Sequence, residues 1–241
     1  MFSAKAILKT AAFAGSAIAA TLSGMATAGV VIKSSGPSAS QYPVGSKVDD
    51  NGRITLKAGD SVTVMSNGGT REIQGAGTHS VAQRGISKRS TFAALTNQRA
   101  NSRVRTGAAR TAGGVASLVR DNIWDVDVTQ SGAVCVLDLS AVRMWRPGRE
   151  AASTYVIASS NSADHLHVSF PENVMVANWD AERMPLVEGA PYTITGPSNG
   201  EPVSVSFVKM ADEPADPEQM AAALIEKGCT SQLELLATKL M

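Results

Sequence analysis

Apolar and polar residues alternate in short runs through most of the chain, a pattern typical of half-buried β-strands. The pattern is clearest in Asn122–Leu139, where two such runs flank Ser131-Gly132. A two-residue turn at that dipeptide predicts a β-hairpin with one wholly apolar face, which we expect to anchor the core. The predicted apolar pairs are Val128 with Cys135, Val126 with Leu137 and Trp124 with Leu139.

The opposite face of this predicted hairpin carries acidic residues. Asp125 and Asp127 lie on it, and the register places Asp125 across from Asp138. Three carboxylates can share a calcium ion, but these lie on strands and lack the glycine and the spacing of a calcium loop. We therefore expect a hydrated face without calcium.

Turn residues divide the rest of the alternating pattern into two β regions. Residues 29–83 predict a small β meander, in which Asn67-Gly68 is the strongest hairpin signal. Residues 121–210 hold strands at a spacing of about 8–12 residues, which predicts a β-sandwich or barrel-like domain of short antiparallel strands. The predicted fold class is mainly β. After the hairpin, the predicted strands are Val142–Trp145, Thr154–Ala158, Asp164–Phe170, Val174–Trp179, Tyr192–Thr195 and Val203–Val208.

Residues 211–241 change to helical periodicity. Asp216 and Pro217 have the chemistry of a helix cap and a first-turn proline, and Gly228 is placed to end that helix. Thr230 is predicted to cap a second helix, whose leucines recur on one side. The C-terminus is therefore predicted to form a helical hairpin.

The N-terminus predicts export. Lys5 and Lys9 precede an uncharged run rich in Ala, Gly and Ser, which closes at the small residues Ala26-Thr27-Ala28. This order is typical of a secretory signal peptide, so residues 1–28 are predicted to be removed by cleavage after Ala28. The alternative is an uncleaved anchor, but the run is short and too rich in Ala and Gly for a spanning helix. A periplasmic or secreted chain without a transmembrane segment is expected.

The chain has two cysteines, Cys135 and Cys229. In an exported protein an even pair most simply means one disulfide. Such a bridge would close a long loop, and the chain-entropy argument values it at up to about 4–5 kcal/mol. A reactive thiol or a metal ligand is the alternative, although no C-x-x-C and no neighbouring histidine supports it.

Residues 84–120 form a basic insert between the two β regions, with no acid between Glu72 and Asp121. Ser90 is placed to cap a helix that runs through Leu95 toward Val104, and Gly107 is placed to end it. We expect this insert to be exposed and partly helical or mobile. The basic residues predicted to bind a partner are Arg84, Lys88, Arg89, Arg99, Arg103, Arg105 and Arg110.

Arginines on an acid-free surface bind phosphate or carboxylate groups bidentately, so the insert suits an anionic polymer, a lipid headgroup or an acidic protein. Two alternatives stay open: the insert is a solvated linker, or it pairs with the acidic residues at the start of the C-terminal region. Overall charge is nearly balanced, and few aromatic residues interleave with the arginines, so no nucleic-acid partner is predicted. The acidic set is Asp212, Glu213, Asp216 and Glu218.

His165 and His167 are the candidates for a metal site, because alternate strand positions direct two imidazoles to one face. Strict alternation in this strand already explains both as solvent-facing, and no third ligand is identifiable. We therefore predict no metal and no other cofactor. No G-x-S-x-G, H-E-x-x-H or phosphate-loop motif occurs, so no catalytic residue is predicted.

Several stretches resemble a group of exported alphaproteobacterial proteins that has no assigned function. They are S-S-G-P-S-A-S-Q-Y-P-V-G, N-G-R-I-T-L-K-A-G-D-S-V-T-V, V-R-T-G-A-A-R, N-I-W-D-V-D-V-T-Q-S-G-A-V-C-V and A-A-L-I-E-K-G-C-T-S-Q-L. The second also resembles the β-rich periplasmic domain of FecR-type proteins. The resemblance implies an envelope protein and transfers no catalytic residue.

The predicted function is an exported, non-catalytic envelope protein that binds a protein partner or an anionic envelope component through the basic insert. The alternative is a periplasmic hydrolase whose carboxylate pair is not recognisable from spacing, because such partners need not be close in sequence. A concave pocket with two or three carboxylates would favour the hydrolase. The scarcity of aromatic residues argues against a carbohydrate enzyme.

Overall fold

A computed structural model of the chain describes residues 28–66, 69–81, 88–97, 120–160, 162–197 and 201–241. The predicted signal peptide therefore lies outside the described residues, apart from Ala28. The fold is mainly β with helices near the C-terminus, as predicted. The strands are β1 (Ala28–Ser35), β2 (Lys47–Asp49), β3 (Arg53–Leu56), β4 (Ser61–Ser66), β5 (Gly69–Gln74), β6 (Gly77–Ser80), β7 (Asp125–Asp127), β8 (Gly132–Val136), β9 (Arg143–Trp145), β10 (Ser153–Ser159), β11 (His165–Phe170), β12 (Val176–Asn178), β13 (Pro191–Thr195) and β14 (Val203–Lys209).

The N-terminal β region holds a four-stranded antiparallel sheet in the order β2-β1-β4-β5, together with the pair β3-β6. Strands β4 and β5 pair antiparallel up to Ser66 opposite Gly69, whereas the predicted turn residues Asn67-Gly68 lie outside the described residues. One face of this region buries an apolar cluster that includes Val31, Val62 and Ile73.

The second β region contains two sheets around one core. The five-stranded sheet has the order β11-β10-β13-β14-β8, and the three-stranded sheet has the order β12-β9-β7. Met144 of the small sheet and Ile157 and Phe207 of the large one belong to the same buried cluster, as in a sandwich. Most neighbours are antiparallel as predicted, but β14 with β8 and β7 with β9 are parallel.

The predicted hairpin of Asn122–Leu139 does not form. Strand β7 pairs with β9 and strand β8 pairs with β14, so the two runs belong to different sheets. The chain turns earlier than predicted, because the Asp127 side chain accepts hydrogen bonds from the backbone N–H and the hydroxyl of Thr129 (2.9 and 2.6 Å). Gly132, predicted to lie in the turn, begins β8 instead.

The C-terminal helical hairpin is present as α2 (Pro217–Glu226) and α3 (Thr230–Lys239). The Asp216 carboxylate caps α2 by accepting from the backbone N–H of Gln219 at 2.8 Å. Gly228 follows α2 with a positive φ of 72°, a conformation that glycine adopts without a steric penalty. Thr230 is the first residue of α3 rather than its cap, which is Cys229.

A helix also forms in the basic insert, but it is shorter than predicted. It is α1 (Arg89–Thr96), with Lys88 rather than Ser90 at its cap position. Asn97 is extended, with a ψ of 104°, so the helix ends there and does not continue toward Val104. The end is fixed by packing, since Phe92 and Leu95 are buried in the core.

The helical hairpin lies between the two β regions. Helix α2 contacts β1 and β4, whereas α3 contacts β8. Their side chains form one buried cluster, in which Met65 comes from the first sheet, Leu224 and Leu236 from the helices, and Trp124 from the second region. Within the described residues, none of the helices has the length and apolar character needed to cross a bilayer.

Candidate functional site

Helix α1 is the described part of the predicted binding surface. Lys88 is half-buried and its ammonium donates to the backbone oxygen of Met241, whereas Arg89 is exposed. Within the described residues, Arg89 forms no ion pair. The other predicted binding residues, Arg84, Arg99, Arg103, Arg105 and Arg110, lie outside the described residues.

The attachment of α1 to the core is specific. The backbone N–H of Ile123 donates to the Leu95 carbonyl at 3.0 Å, and the indole N–H of Trp124 donates to the Thr96 carbonyl at 2.8 Å. The Asn122 amide donates to the Asn97 carbonyl at 3.0 Å. These bonds satisfy carbonyls that a helix leaves unpaired at its last turn. Helix α1 is therefore fixed to the core and is not a loose linker.

A groove of about 530 Å³ separates α1 from the segment that leads into α2. Arg89 lines one side, and Glu213 and Asp216 line the other. Its floor includes the buried Phe92. The groove brings Glu213 and Asp216 of the predicted acidic set close to Arg89, yet these three side chains form no ion pair with one another. Asp216 is already engaged as the cap of α2.

A buried charge cluster lies in the second β region. Asp125, predicted to face water, is 2% exposed, and its carboxylate oxygen lies 2.6 Å from the Arg143 guanidinium. The parallel register places these two residues opposite each other on β7 and β9. Burial raises the pKa of Asp125 to about 6, although the nearby Arg143 and Arg120 oppose the shift. The solvent-face prediction for Asp125 is therefore wrong, because its strand joins the small sheet instead of the hairpin.

Arg120 completes this cluster. It is buried, and its Nη1 donates to the backbone oxygen of Asp125 at 2.8 Å. Burial lowers the pKa of Arg120, and the nearby Asp127 and Asp125 oppose that shift. Its position at the end of the basic insert suggested an exposed residue. An alternating pattern cannot reveal this burial, because the partner is a backbone oxygen.

A second cleft, of about 270 Å³, opens beside Arg120 between the small sheet and α3. Asp127 and Glu234 are its carboxylates, so the cleft has the acidic content that would favour a hydrolase. Asp127, however, is bound to Thr129 through both the backbone N–H and the hydroxyl. Asp125, whose pKa burial raises to about 6, forms an ion pair with Arg143 instead. Asp125 lines neither of the two clefts.

The disulfide between Cys135 and Cys229 is present, as predicted, with the two Cα atoms 5.8 Å apart. Both cysteines are fully buried. Beside them Gln232 is also buried, and its Oε1 accepts from the Cys135 backbone N–H at 2.7 Å. Its Nε2 donates to the carbonyls of Ile123 and Cys135 at 2.9 and 2.8 Å. Gln232 was not singled out from the sequence, where a polar residue on a ten-residue helix is expected to face water.

His165 and His167 are both exposed on β11, in the alternating pattern that the sequence predicted. Their ring centres lie 5.2 Å apart. Leu166 and Phe170 point the other way and are buried in the core of the sandwich. No group of three or more His, Cys, Asp or Glu side chains suited to a metal ion occurs among the described residues.

No family model matches this chain, and no curated protein or solved structure matches it significantly. The resemblance to exported alphaproteobacterial proteins and to FecR-type domains therefore stays a prediction. The geometry above is what bears on function.

Proposed function

We propose that this chain is an exported, non-catalytic envelope protein that binds anionic groups of an envelope partner through a basic surface. This surface comprises Arg89 on α1 and the arginines that follow it in the sequence, Arg99, Arg103, Arg105 and Arg110. The observation that carries the proposal is the fixed attachment of α1 to the core. A basic residue on a fixed helix loses less conformational freedom on binding than the same residue on a flexible linker. This favours a binding surface over the linker alternative.

Charge also supports the proposal. Arg89 is exposed and unpaired within the described residues, so its planar guanidinium is available for a bidentate contact with a phosphate or carboxylate. In the sequence it is followed by four further arginines, Arg99, Arg103, Arg105 and Arg110, without an intervening acid. Carboxylates at Glu213 and Asp216 border the groove on its far side, which disfavours an anion inside the groove itself.

Export is supported by the disulfide. Disulfides such as the one between Cys135 and Cys229 are typical of oxidising compartments, of which the periplasm is one. The basic start of the chain and the small residues before Gly29 agree with such a destination. We propose cleavage after Ala28.

The hydrolase alternative finds less support. Each described cleft contains two carboxylates, but Asp216 and Asp127 are held by hydrogen bonds within their own turns. A general acid and base need unlike environments that separate their pKa values.

The test is photo-crosslinking and co-purification from native cells with graded charge removal. Arg89→Gln removes the anchored charge, and a second variant replaces Arg99, Arg103, Arg105 and Arg110 with Gln. The matched control is Arg149→Gln with Arg183→Gln, which removes two exposed arginines from the sandwich region. Circular dichroism confirms that each variant folds.

We expect the same envelope partner to be captured by the wild type and the control and lost from the four-residue variant, with a smaller loss for Arg89→Gln. Capture that rises in low salt and falls in high salt is expected, since exposed charges are screened. Equal capture by all variants would show that the basic surface does not bind the partner. Turnover of an ester, amide or glycoside by the purified chain would favour the hydrolase.

A further inference from the structure

We propose that His165 and His167 form a two-imidazole chelate for a late first-row divalent metal ion, with copper(II) preferred. The site is on the outer face of β11 and is separate from the proposed basic binding surface. Water, or a donor atom from a bound molecule, completes the coordination of the ion.

The spacing of the two rings fits one ion. Residues two apart on a strand point to the same face, and the antiparallel pairing of β11 with β10 holds both backbones in register. Metal–nitrogen bonds of about 2.0–2.1 Å would place two ring centres about 4.5 Å apart at the cis angle of a tetragonal ion and about 5.2 Å apart at a tetrahedral angle. The observed separation is 5.2 Å, with the ring planes inclined by 59°. Binding requires that χ rotations direct one nitrogen of each ring to a shared point.

The imidazoles have no competing partner in the part of the chain that the structure describes. Neither ring has a hydrogen bond or an ion pair among the described residues, and both are exposed. Their cross-strand neighbours are Ala158 and Val156, which have no polar side-chain atoms. By contrast, the third histidine, His79, already contacts the Gly75 carbonyl at 3.0 Å.

The number and the type of the ligands determine which class of metal ion the site would bind. With two protein ligands, and no group of three or more His, Cys, Asp or Glu side chains suited to a metal ion among the described residues, the site remains open and exchangeable. Imidazole suits copper, nickel and zinc, whereas calcium and magnesium prefer oxygen. Copper(II) heads the affinity order for nitrogen ligands and accepts a partly hydrated tetragonal geometry.

The experiment is titration of the mature chain, purified without a polyhistidine tag, with CuCl₂, ZnCl₂ and MgCl₂ by calorimetry. We expect one Cu²⁺ per chain, weaker Zn²⁺ binding and no Mg²⁺ binding. His165→Ala and His167→Ala should each weaken Cu²⁺ binding by roughly 100-fold, because loss of one ligand turns a chelate into a single contact. Electron paramagnetic resonance of the Cu²⁺ complex should show coupling to two imidazole nitrogens.

His79→Ala is the matched control and should bind Cu²⁺ like the wild type. All three substitutions leave the core intact, which thermal unfolding of the metal-free proteins verifies. Unchanged Cu²⁺ affinity in His165→Ala or His167→Ala would overturn the proposal, as would an equal loss in His79→Ala. Neither outcome bears on the basic surface, whose test involves no metal.

Discussion

The two largest hydrophobic cores of this protein are built by different means. In the sandwich core, Trp179, Tyr192 and Phe207 contact one another edge to face, with ring centres 5.6–5.7 Å apart. The junction core, where the helices meet both β regions, combines leucines with a disulfide and the buried amide of Gln232.

The difference follows from what fixes each element. Strands β10, β13 and β14 are held in register by backbone ladders, so apolar side chains alone can complete their core. Helices α2 and α3 have ten residues each and share no ladder with a sheet. Isolated helices of this length are marginal in water. Their position therefore depends on a covalent bond and on directional hydrogen bonds, and the junction should open separately when these are removed.

The largest expected effect comes from replacing both cysteines with alanine. Because the bridge joins residues 94 apart, its loss should lower the free energy of unfolding by about 4–5 kcal/mol. Hydrogen exchange followed by mass spectrometry should show faster exchange in α2 and α3, while β10 and β13 stay protected. Uniformly faster exchange in both cores would mean that they unfold as one unit.

Phe207→Ala tests the other core. The side chain is fully buried between Trp179 and Tyr192, so truncation should cost about 3–5 kcal/mol through lost transfer energy and a cavity. Exchange should now accelerate in β13 and β14 and leave α3 protected. Phe207→Leu, which keeps more of the volume, is the control and should cost less. Loss of protection in α3 first would contradict separate cores.

Gln232→Met tests the polar part of the junction at nearly constant volume. It leaves the Cys135 backbone N–H and the Ile123 carbonyl without their partner, which should cost about 1–3 kcal/mol. The control is Glu234→Gln, an exposed change on the same helix. Urea unfolding measures both. A Gln232→Met variant as stable as the wild type would show that packing alone positions α3.

Much of this fold could be predicted from local signals. The alternation in β11, the antiparallel pairing of β4 with β5, and the Asp216 cap each depend on neighbours only a few residues away. The disulfide was predictable because the chain offers only one pairing. Each of these features follows from the compartment, from turn chemistry or from periodicity. None of them requires knowing which distant strands pair.

The failures concern distant partners. The Asn122–Leu139 pattern is a sound hairpin signal, yet β8 pairs in parallel with β14, about 70 residues further along the chain. Nothing in the local pattern indicates that pairing. The burial of Gln232 and Arg120 could not be predicted for the same reason, because their hydrogen-bond partners are backbone groups of other segments. The candidate metal chelate was visible as a spacing, but its ring geometry was not.

Asp125 provides an effect that depends on pH and that distinguishes the predicted hairpin from the observed parallel pairing of β7 with β9. On a hydrated hairpin face its pKa would be ordinary, whereas burial beside Arg143 raises it to about 6. The folded protein then holds this proton more tightly than the unfolded chain. The contribution to stability is full below the unfolded pKa of about 4 and disappears as pH rises through 6.

The Asp125 contribution should amount to about 2 kcal/mol between pH 4.5 and pH 7.5, and Asp125→Asn should abolish it. Urea unfolding of wild type and variant at the two pH values gives the difference directly. Asp138→Asn is the control of opposite sign, because hydrogen bonds from Ser140 lower the pKa of Asp138. Its stabilising contribution is present at neutral pH and is lost as pH falls. If Asp125→Asn shows the same pH dependence as the wild type, the pKa of Asp125 is not raised, and its burial beside Arg143 is then contradicted.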